Sequence, residues 1–344
     1  MLRTRPHRAH ARPPKHLHAA AVVCAVAVGA ALGACAAPTP APPATVAEPL
    51  VVEATIPPPP SRPATVAPAP AADPAPLKAS AKRMLADSAA IEEFGIRPPG
   101  SKEEAGAAAY VADRMRQMGY EVSIEKFKTP DGTSRNVISR LQGADPRRLV
   151  LGAHLDSLWS TPGANDDAAG CAVLLEIARI TAEEGSPVSI EFVFFGSEEY
   201  NKKPPKDHHR GSRYRVSKMS KAERRETVGM ISVDVVAWGP RLYSRTMGIG
   251  PKTMSDYLLE RADDLDIKMS YLQDPGPTGW SDHEPYEKAG IPAAWIERLQ
   301  DPQYHKAGDT TAHLQSSALA ESARLVLSAV RHMDSSVIDR IRPD

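Results

Sequence analysis

At its centre the sequence reads Arg148-Leu149-Val150-Leu151-Gly152-Ala153-His154-Leu155-Asp156, an apolar run that ends in a histidine and an aspartate. The apolar part, residues 148–153, predicts a short buried strand. A helical pattern follows at residues 168–182, and a second apolar run at residues 188–195 predicts another strand. Because a strand, a helix and a strand in succession are typical of a parallel sheet, this stretch decides the class of fold.

The same alternation continues on both sides of this stretch, from about Ala79 to the C-terminus. Ser101 followed by Glu104 has the form of a helix capping box and predicts a helix that ends near Met118. Four more strands are predicted at residues 120–127, 136–141, 229–233 and 291–296, and a closing helix at residues 314–332. The pattern predicts an α/β three-layer sandwich, with a mixed, mostly parallel central sheet covered by helices on both faces.

The N-terminal region has a different composition. Residues 1–18 are basic and contain no acid, and the apolar stretch at residues 19–32 is too short to span a bilayer. This layout predicts an export signal over residues 1–34. Its end, Leu32-Gly33-Ala34-Cys35, resembles the bacterial lipobox, so we expect a lipid on Cys35 after cleavage. An ordinary cleavage site beside an incidental cysteine is the alternative.

Residues 35–78 are rich in proline and alanine, with four consecutive prolines at 57–60. Such a segment cannot build a core, and it predicts a disordered, largely extended tether. The chain is therefore predicted to be an exported bacterial lipoprotein, anchored to the membrane on the extracytoplasmic side. Residues 79–344 would form its single folded domain.

Charge and cysteine content exclude some classes of partner. The 42 basic and 42 acidic residues balance, and no basic run follows the leader, so we expect no nucleic-acid partner. Of the three cysteines only Cys171 lies in the predicted domain, within a helix, where it reads as a buried, inert thiol. We expect the protein to be a monomer.

Polar residues end or follow several predicted strands. They are His154, Asp156, Asp166, Asp167, Glu198, Glu199, Asp234 and, in a later loop, His305. Ligand sites in such sheets lie beyond the carboxyl ends of the strands. Imidazole and carboxylate are the ligands that a catalytic zinc ion takes where thiolates are absent. Together these residues predict a metal site, although each alone is an ordinary surface feature.

Several motifs resemble a known family. They are Gly152 to Ser157 (GAHLDS), Gly163 to Gly170 (GANDDAAG), Phe195 to Glu199 (FGSEE), Ser281 to Tyr286 (SDHEPY), and Tyr304-His305 followed by Asp309-Thr310. In this order they resemble zinc metallopeptidase family 28, the bimetallic zinc aminopeptidases of the bacterial aminopeptidase S and leucyl aminopeptidase type. These enzymes are related to the glutaminyl cyclases. The resemblance extends from about Ala79 to the C-terminus and implies a sandwich of the zinc exopeptidase type.

The resemblance also implies a set of metal ligands. It implies two Zn²⁺ ions, for which Co²⁺ or Mn²⁺ can substitute. His154 and Asp234 would hold one ion, Glu199 and His305 would hold the other, and Asp166 would bridge the two. The peptide bond that follows Asp166 is often cis in this family.

The remaining roles are also implied by the resemblance. Glu198 would be the general base, Asp156 would orient the ring of His154, and Tyr304 would donate a hydrogen bond to the oxyanion. Apart from the resemblance, Asp309 is expected to cap or brace the final helix instead of taking part in the chemistry. The implied activity is that of a metal-dependent aminopeptidase acting on peptide or aminoacyl substrates.

Two other functions stay open. A glutaminyl cyclase shares the fold and most ligands but uses one zinc ion, and Gly211-Ser212-Arg213 resembles that group. A non-catalytic binding module on the same fold is the third possibility. The pair His208-His209 lies in a segment whose composition predicts only a solvated loop.

Overall fold

The computed structural model describes residues 79–199 and 208–343. The predicted export signal, the lipidated Cys35 and the tether lie outside the described residues. Within the described ranges, no helix combines the length and the apolar character that a membrane crossing requires.

The strands of the described ranges form one eight-stranded mixed sheet. They are β1 (Val122–Thr129), β2 (Gly132–Leu141), β3 (Asp145–His154), β4 (Val188–Phe195), β5 (Thr227–Val233), β6 (Leu242–Thr246), β7 (Met269–Gln273) and β8 (Ala293–Arg298). Their order across the sheet is β1-β2-β4-β3-β5-β8-β6-β7. The four central strands β4, β3, β5 and β8 are parallel, whereas β1–β2, β2–β4 and β6–β8 pair antiparallel.

Helices connect these strands. They are α1 (Ala81–Glu92), α2 (Lys102–Gln117), α3 (Ala169–Glu184), α4 (Arg210–Lys218), α5 (Lys221–Glu226), α6 (Thr253–Asp264), α7 (His283–Lys288), α8 (Ser316–Arg331) and α9 (Ser335–Ile341). An irregular turn, Ala164–Ala168, precedes α3, and a 3-10 turn, Thr311–His313, precedes α8.

Both faces of the sheet are buried. Leu149 and Leu151 of β3 belong to a core cluster with α1, α3 and α8, while the intervening Val150 belongs to a second cluster with α4 and α7. Because successive side chains of a strand point to opposite faces, apolar layers cover the sheet on both sides. The predicted three-layer α/β sandwich with a mixed, mostly parallel sheet is confirmed.

The parallel centre of the sheet gathers the polar residues at one edge. His154 ends β3 opposite Phe195, the last residue of β4, and Gly152 of β3 pairs with Ser232 of β5. Since these strands run in the same direction, the residues that follow their ends meet at one edge of the sheet.

The predicted capping box at the start of α2 is only half present. Ser101 Oγ accepts a hydrogen bond from the backbone N–H of Glu104 at 3.0 Å, so Ser101 is the N-cap. The carboxylate of Glu104, however, is fully buried and accepts the N–H groups of Ser197 at 2.9 Å and Gly100 at 2.8 Å. Glu104 therefore holds the turn that follows β4 instead of closing the cap.

Candidate metal centre

Asp166 lies between two groups of potential metal ligands. Its Oδ1 is 3.0 Å from His154 Nε2, and its Oδ2 is 3.0 Å from His305 Nε2. Asp234 Oδ1 is 3.6 Å from the same nitrogen of His154, and Glu199 Oε1 is 3.6 Å from the same nitrogen of His305. Within each group the ligand atoms lie within 4.8 Å of one another. The structure thus brings together all five residues that were predicted as ligands.

Three carboxylate oxygens of these groups fit a cation. Asp166 Oδ2, Glu199 Oε1 and Asp234 Oδ1 are buried without a hydrogen-bond partner among the described residues. Desolvation, followed by the charges of Asp166 and Glu198, raises the pKa of Glu199 well above its ordinary value. Buried carboxylates that face one another are unfavourable unless a cation neutralises them. Nitrogen and oxygen donors of this kind suit zinc.

A short turn carries the shared aspartate. The peptide bond between Asp166 and Asp167 is cis, as the resemblance implied. Asp309 accepts the backbone N–H groups of Asn165 at 2.7 Å and of Asp166 at 3.3 Å. The prediction that Asp309 caps or braces the final helix is therefore wrong, because this buried carboxylate holds the turn of Asp166.

Asp167 ties the end of β3 to the start of α3. Its Oδ2 accepts the N–H of His154 at 3.0 Å, and its Oδ1 accepts the N–H of Gly170 at 3.0 Å. A Cβ atom at Gly170 would lie 2.0 Å from the carbonyl oxygen of Val233, so only glycine fits between the helix and β5. This packing fixes the distance between His154 and Asp234, which follows Val233.

The role predicted for Asp156 needs correction. His154 Nδ1 lies 3.2 Å from the backbone oxygen of Asp156, whereas the nearest carboxylate oxygen is 3.8 Å away. The carboxylate instead accepts the N–H of Glu198 through Oδ1 and the N–H of Glu199 through Oδ2, each at 2.9 Å. Asp156 therefore orients the histidine through its carbonyl group, and its carboxylate holds both glutamates.

Two further residues of the quoted motifs also lie at this edge. Ser281 Oγ donates to Asp234 Oδ2 at 2.8 Å and so fixes that carboxylate. The ring of Tyr304 stacks on His305 with a centroid distance of 3.7 Å. Although 44% of Tyr304 is exposed, desolvation of the phenol and the charges of Asp166 and Glu199 raise its pKa well above the ordinary value. The hydroxyl is thus a proton donor at neutral pH.

His209 is a residue that the sequence did not reveal. Its side chain is buried, with Nε2 3.0 Å from Glu198 Oε1 and Nδ1 3.0 Å from Glu284 Oε2. The prediction of a solvated loop is therefore wrong at this position. The backbone N–H of His209 also donates to the carbonyl group of Glu198 at 2.8 Å. This bond holds the backbones of the two residues side by side. The neighbouring His208 is half-buried, and desolvation lowers its pKa to about 4. Composition carries no signal for this arrangement, because Glu284 lies far along the chain.

Comparison with known proteins places the chain in a family. The model for peptidase family M28 matches residues 136–330, which are more than half of the chain. The chain therefore belongs to peptidase family M28.

The names of individual relatives state two different activities. Aminopeptidase YwaD of Bacillus subtilis (strain 168) is 28% identical over 252 residues, 69% of this chain and 51% of that protein. Glutaminyl-peptide cyclotransferase of Bos taurus is 31% identical over 180 residues, 43% of this chain and 50% of that protein. The chain thus spans about half the length of each. Among solved structures, BSAP, a zinc aminopeptidase from Bacillus subtilis, aligns with a TM-score of 0.67 at 19% identity, covering 74% of this chain and 95% of that one.

Proposed function

We propose that the chain is a metal-dependent aminopeptidase that removes N-terminal residues from peptides or aminoacyl conjugates. One observation carries this proposal, the division of the two oxygens of Asp166 between two histidine-containing groups. That arrangement supports a centre of two ions, whereas the related cyclases use one zinc ion. Membership of a peptidase family supports the same reaction class.

The ligands follow from the two groups. His154 and Asp234 would hold one zinc ion, Glu199 and His305 the other, and Asp166 would contact both. When bound, two zinc ions supply Lewis acidity, which activates water near neutral pH and polarises the substrate carbonyl group.

The proton transfers are assigned to Glu198. This residue is 4% exposed, and its backbone is fixed by the carboxylate of Asp156. Glu198 takes a proton from the attacking water and passes it to the leaving amine. Tyr304, whose phenol keeps its proton, donates a hydrogen bond to the oxygen that becomes negative.

Replacing the two neighbouring glutamates separates chemistry from metal binding. Glu198→Gln keeps the size of the side chain, and general base catalysis contributes about 10²- to 10⁴-fold, so kcat should fall by that factor while two zinc ions per chain stay bound. Glu199→Ala should lose zinc as well as activity. Hydrolysis of aminoacyl-anilides and elemental analysis measure both properties. A Glu198→Gln protein that loses zinc, or that stays within a few-fold of the wild-type rate, would overturn the assignment of the base.

Glutaminyl cyclization is the second candidate. The observation in its favour is the identity of 31% to the bovine cyclotransferase, although over a shorter stretch than the match to YwaD. Incubation with an N-terminal glutaminyl peptide distinguishes the two functions. Cyclization of that peptide, together with a single tightly held zinc ion, would favour the cyclase.

We also propose that the protein is an exported lipoprotein. The sequence Leu32-Gly33-Ala34-Cys35 and the proline-rich residues that follow support this proposal. A lipid on Cys35 would hold the enzyme at a membrane surface on the extracytoplasmic side.

A further inference from the structure

A third group of potential metal ligands lies beside the proposed base. Glu198, His208 and His209 each offer one ligand atom, and these atoms lie within 4.8 Å of one another. None of the five predicted ligands belongs to this group. Two histidines and one glutamate are the donor set of many catalytic zinc sites, in which a fourth position stays open.

The central contact of this group resembles those of the two ligand groups around Asp166. His209 Nε2 lies 3.0 Å from Glu198 Oε1, the distance that also separates His305 Nε2 from Asp166 Oδ2. At 3.0 Å the pair is within ion-pair distance, yet the geometry is not that of a hydrogen bond, and Nε2 is buried without such a partner among the described residues. A ring nitrogen and a carboxylate oxygen that coordinate the same cation lie about this far apart, although no hydrogen bond joins them.

Glu284 stands behind the ring of His209. Its Oε2 lies 3.0 Å from His209 Nδ1, and its Oε1 is paired with Lys288 of the same helix. The pairing with Lys288 favours the ionised form of this carboxylate. An ionised carboxylate at Nδ1 directs the lone pair of the ring to Nε2, which is the usual arrangement behind a histidine that binds zinc.

We propose that Glu198, His208 and His209 form a third zinc site, which fills only when zinc exceeds two ions per chain and which inhibits the enzyme. An ion at this site engages the carboxylate of Glu198, and a carboxylate bound in this way cannot accept a proton from water. The inhibitory consequence rests on the proposed function, whereas the binding site does not. Since two of its three donors are imidazoles, the site should take Zn²⁺ or Co²⁺ and reject Mg²⁺.

The experiment counts bound zinc and measures activity in parallel. Untagged full-length protein is loaded with two equivalents of zinc, dialysed, and titrated with further Zn²⁺ in equilibrium dialysis, while hydrolysis of leucyl-anilide is followed at each concentration. For the wild type we expect one additional ion per chain and a loss of activity at the same free zinc concentration. Mg²⁺ at equal concentration should change neither quantity.

Variants locate the additional ion. His208→Ala should abolish the third binding event, and Glu284→Gln, which leaves all three donors in place, should weaken it about ten- to hundred-fold. Each protein is compared with its own rate at two equivalents of zinc. His332→Ala, at an exposed histidine next to the end of α8, is the matched control and should behave as the wild type.

Three results would overturn the proposal. They are the absence of a third ion at millimolar zinc, a third ion that His208→Ala does not remove, and a third ion that leaves the rate unchanged. Failure of the proposed function would appear separately, as a protein that binds three zinc ions but hydrolyses no anilide at any zinc concentration.

Discussion

Removing the carboxylate of Asp309 should weaken the metal centre without removing a ligand. In Asp309→Ala the buried N–H groups of Asn165 and Asp166 lose their acceptor. An orphaned buried amide costs about 1–3 kcal/mol, and the contact to Asp166 is long, so the free energy of unfolding should fall by about 2–4 kcal/mol. Residues that orient ligands typically contribute ten- to hundred-fold to metal affinity. We therefore expect zinc to dissociate about 10- to 100-fold more readily, which corresponds to about 1.4–2.7 kcal/mol.

Competition with a chromophoric chelator measures the zinc affinity, and urea unfolding of the zinc-free protein measures stability. Asp334→Ala is the matched control, because this aspartate also accepts a backbone N–H, from Val337 at 3.0 Å, but at the start of the distant helix α9. It should lose about 0.5–2 kcal/mol of stability and keep its zinc affinity. If Asp309→Ala loses stability yet holds zinc within two-fold of the wild type, the carboxylate does not position Asp166 and the reasoning fails.

Three further outcomes are expected. Asp166→Asn should lower the zinc content of both groups, since each uses one oxygen of this side chain; elemental analysis showing two tightly held ions would contradict a shared ligand. Gly170→Ala should destabilise the domain by about 1–3 kcal/mol in urea, because its Cβ would lie 2.0 Å from the carbonyl oxygen of Val233, and an unchanged midpoint would show that the helix can shift. Cys35→Ser should move the protein from the detergent phase to the aqueous phase. Wild-type protein found in the aqueous phase would contradict the proposed lipid anchor.

The centre of the fold could be predicted because its signal is local. In β4 and β5 every residue is buried, and mostly apolar runs identify such strands. β6 was missed because its five residues contain no apolar run: after Leu242 and Tyr243 come a serine, an arginine and a threonine. Arg245 donates to Glu297 of β8 at 2.6 Å and lies over the rings of Trp280 and Trp295. Nothing in the five residues of β6 indicates that these distant partners neutralise and cover the charge.

The same contrast holds within the site. Motifs identified the predicted ligands, because the residues that contact a metal recur at recognisable positions in a family. The side chains that hold those ligands could not be assigned in this way. Asp309 and Asp156 act on backbone N–H groups at other places in the chain, and His209 depends on Glu284 of α7. Such contacts depend on the path of the backbone, which only the folded structure supplies.

The carboxylate of Asp156 accepts the N–H groups of both Glu198 and Glu199. This arrangement affects how a duplicated gene for this protein could diverge. On the proposed function, a substitution at Glu198 alone would leave the five proposed ligands in place and remove only the base, so that such a descendant would bind the ions without turnover. A substitution at Asp156 would release both glutamates at once. On the same proposal, descendants of that kind would lose the ions together with the activity.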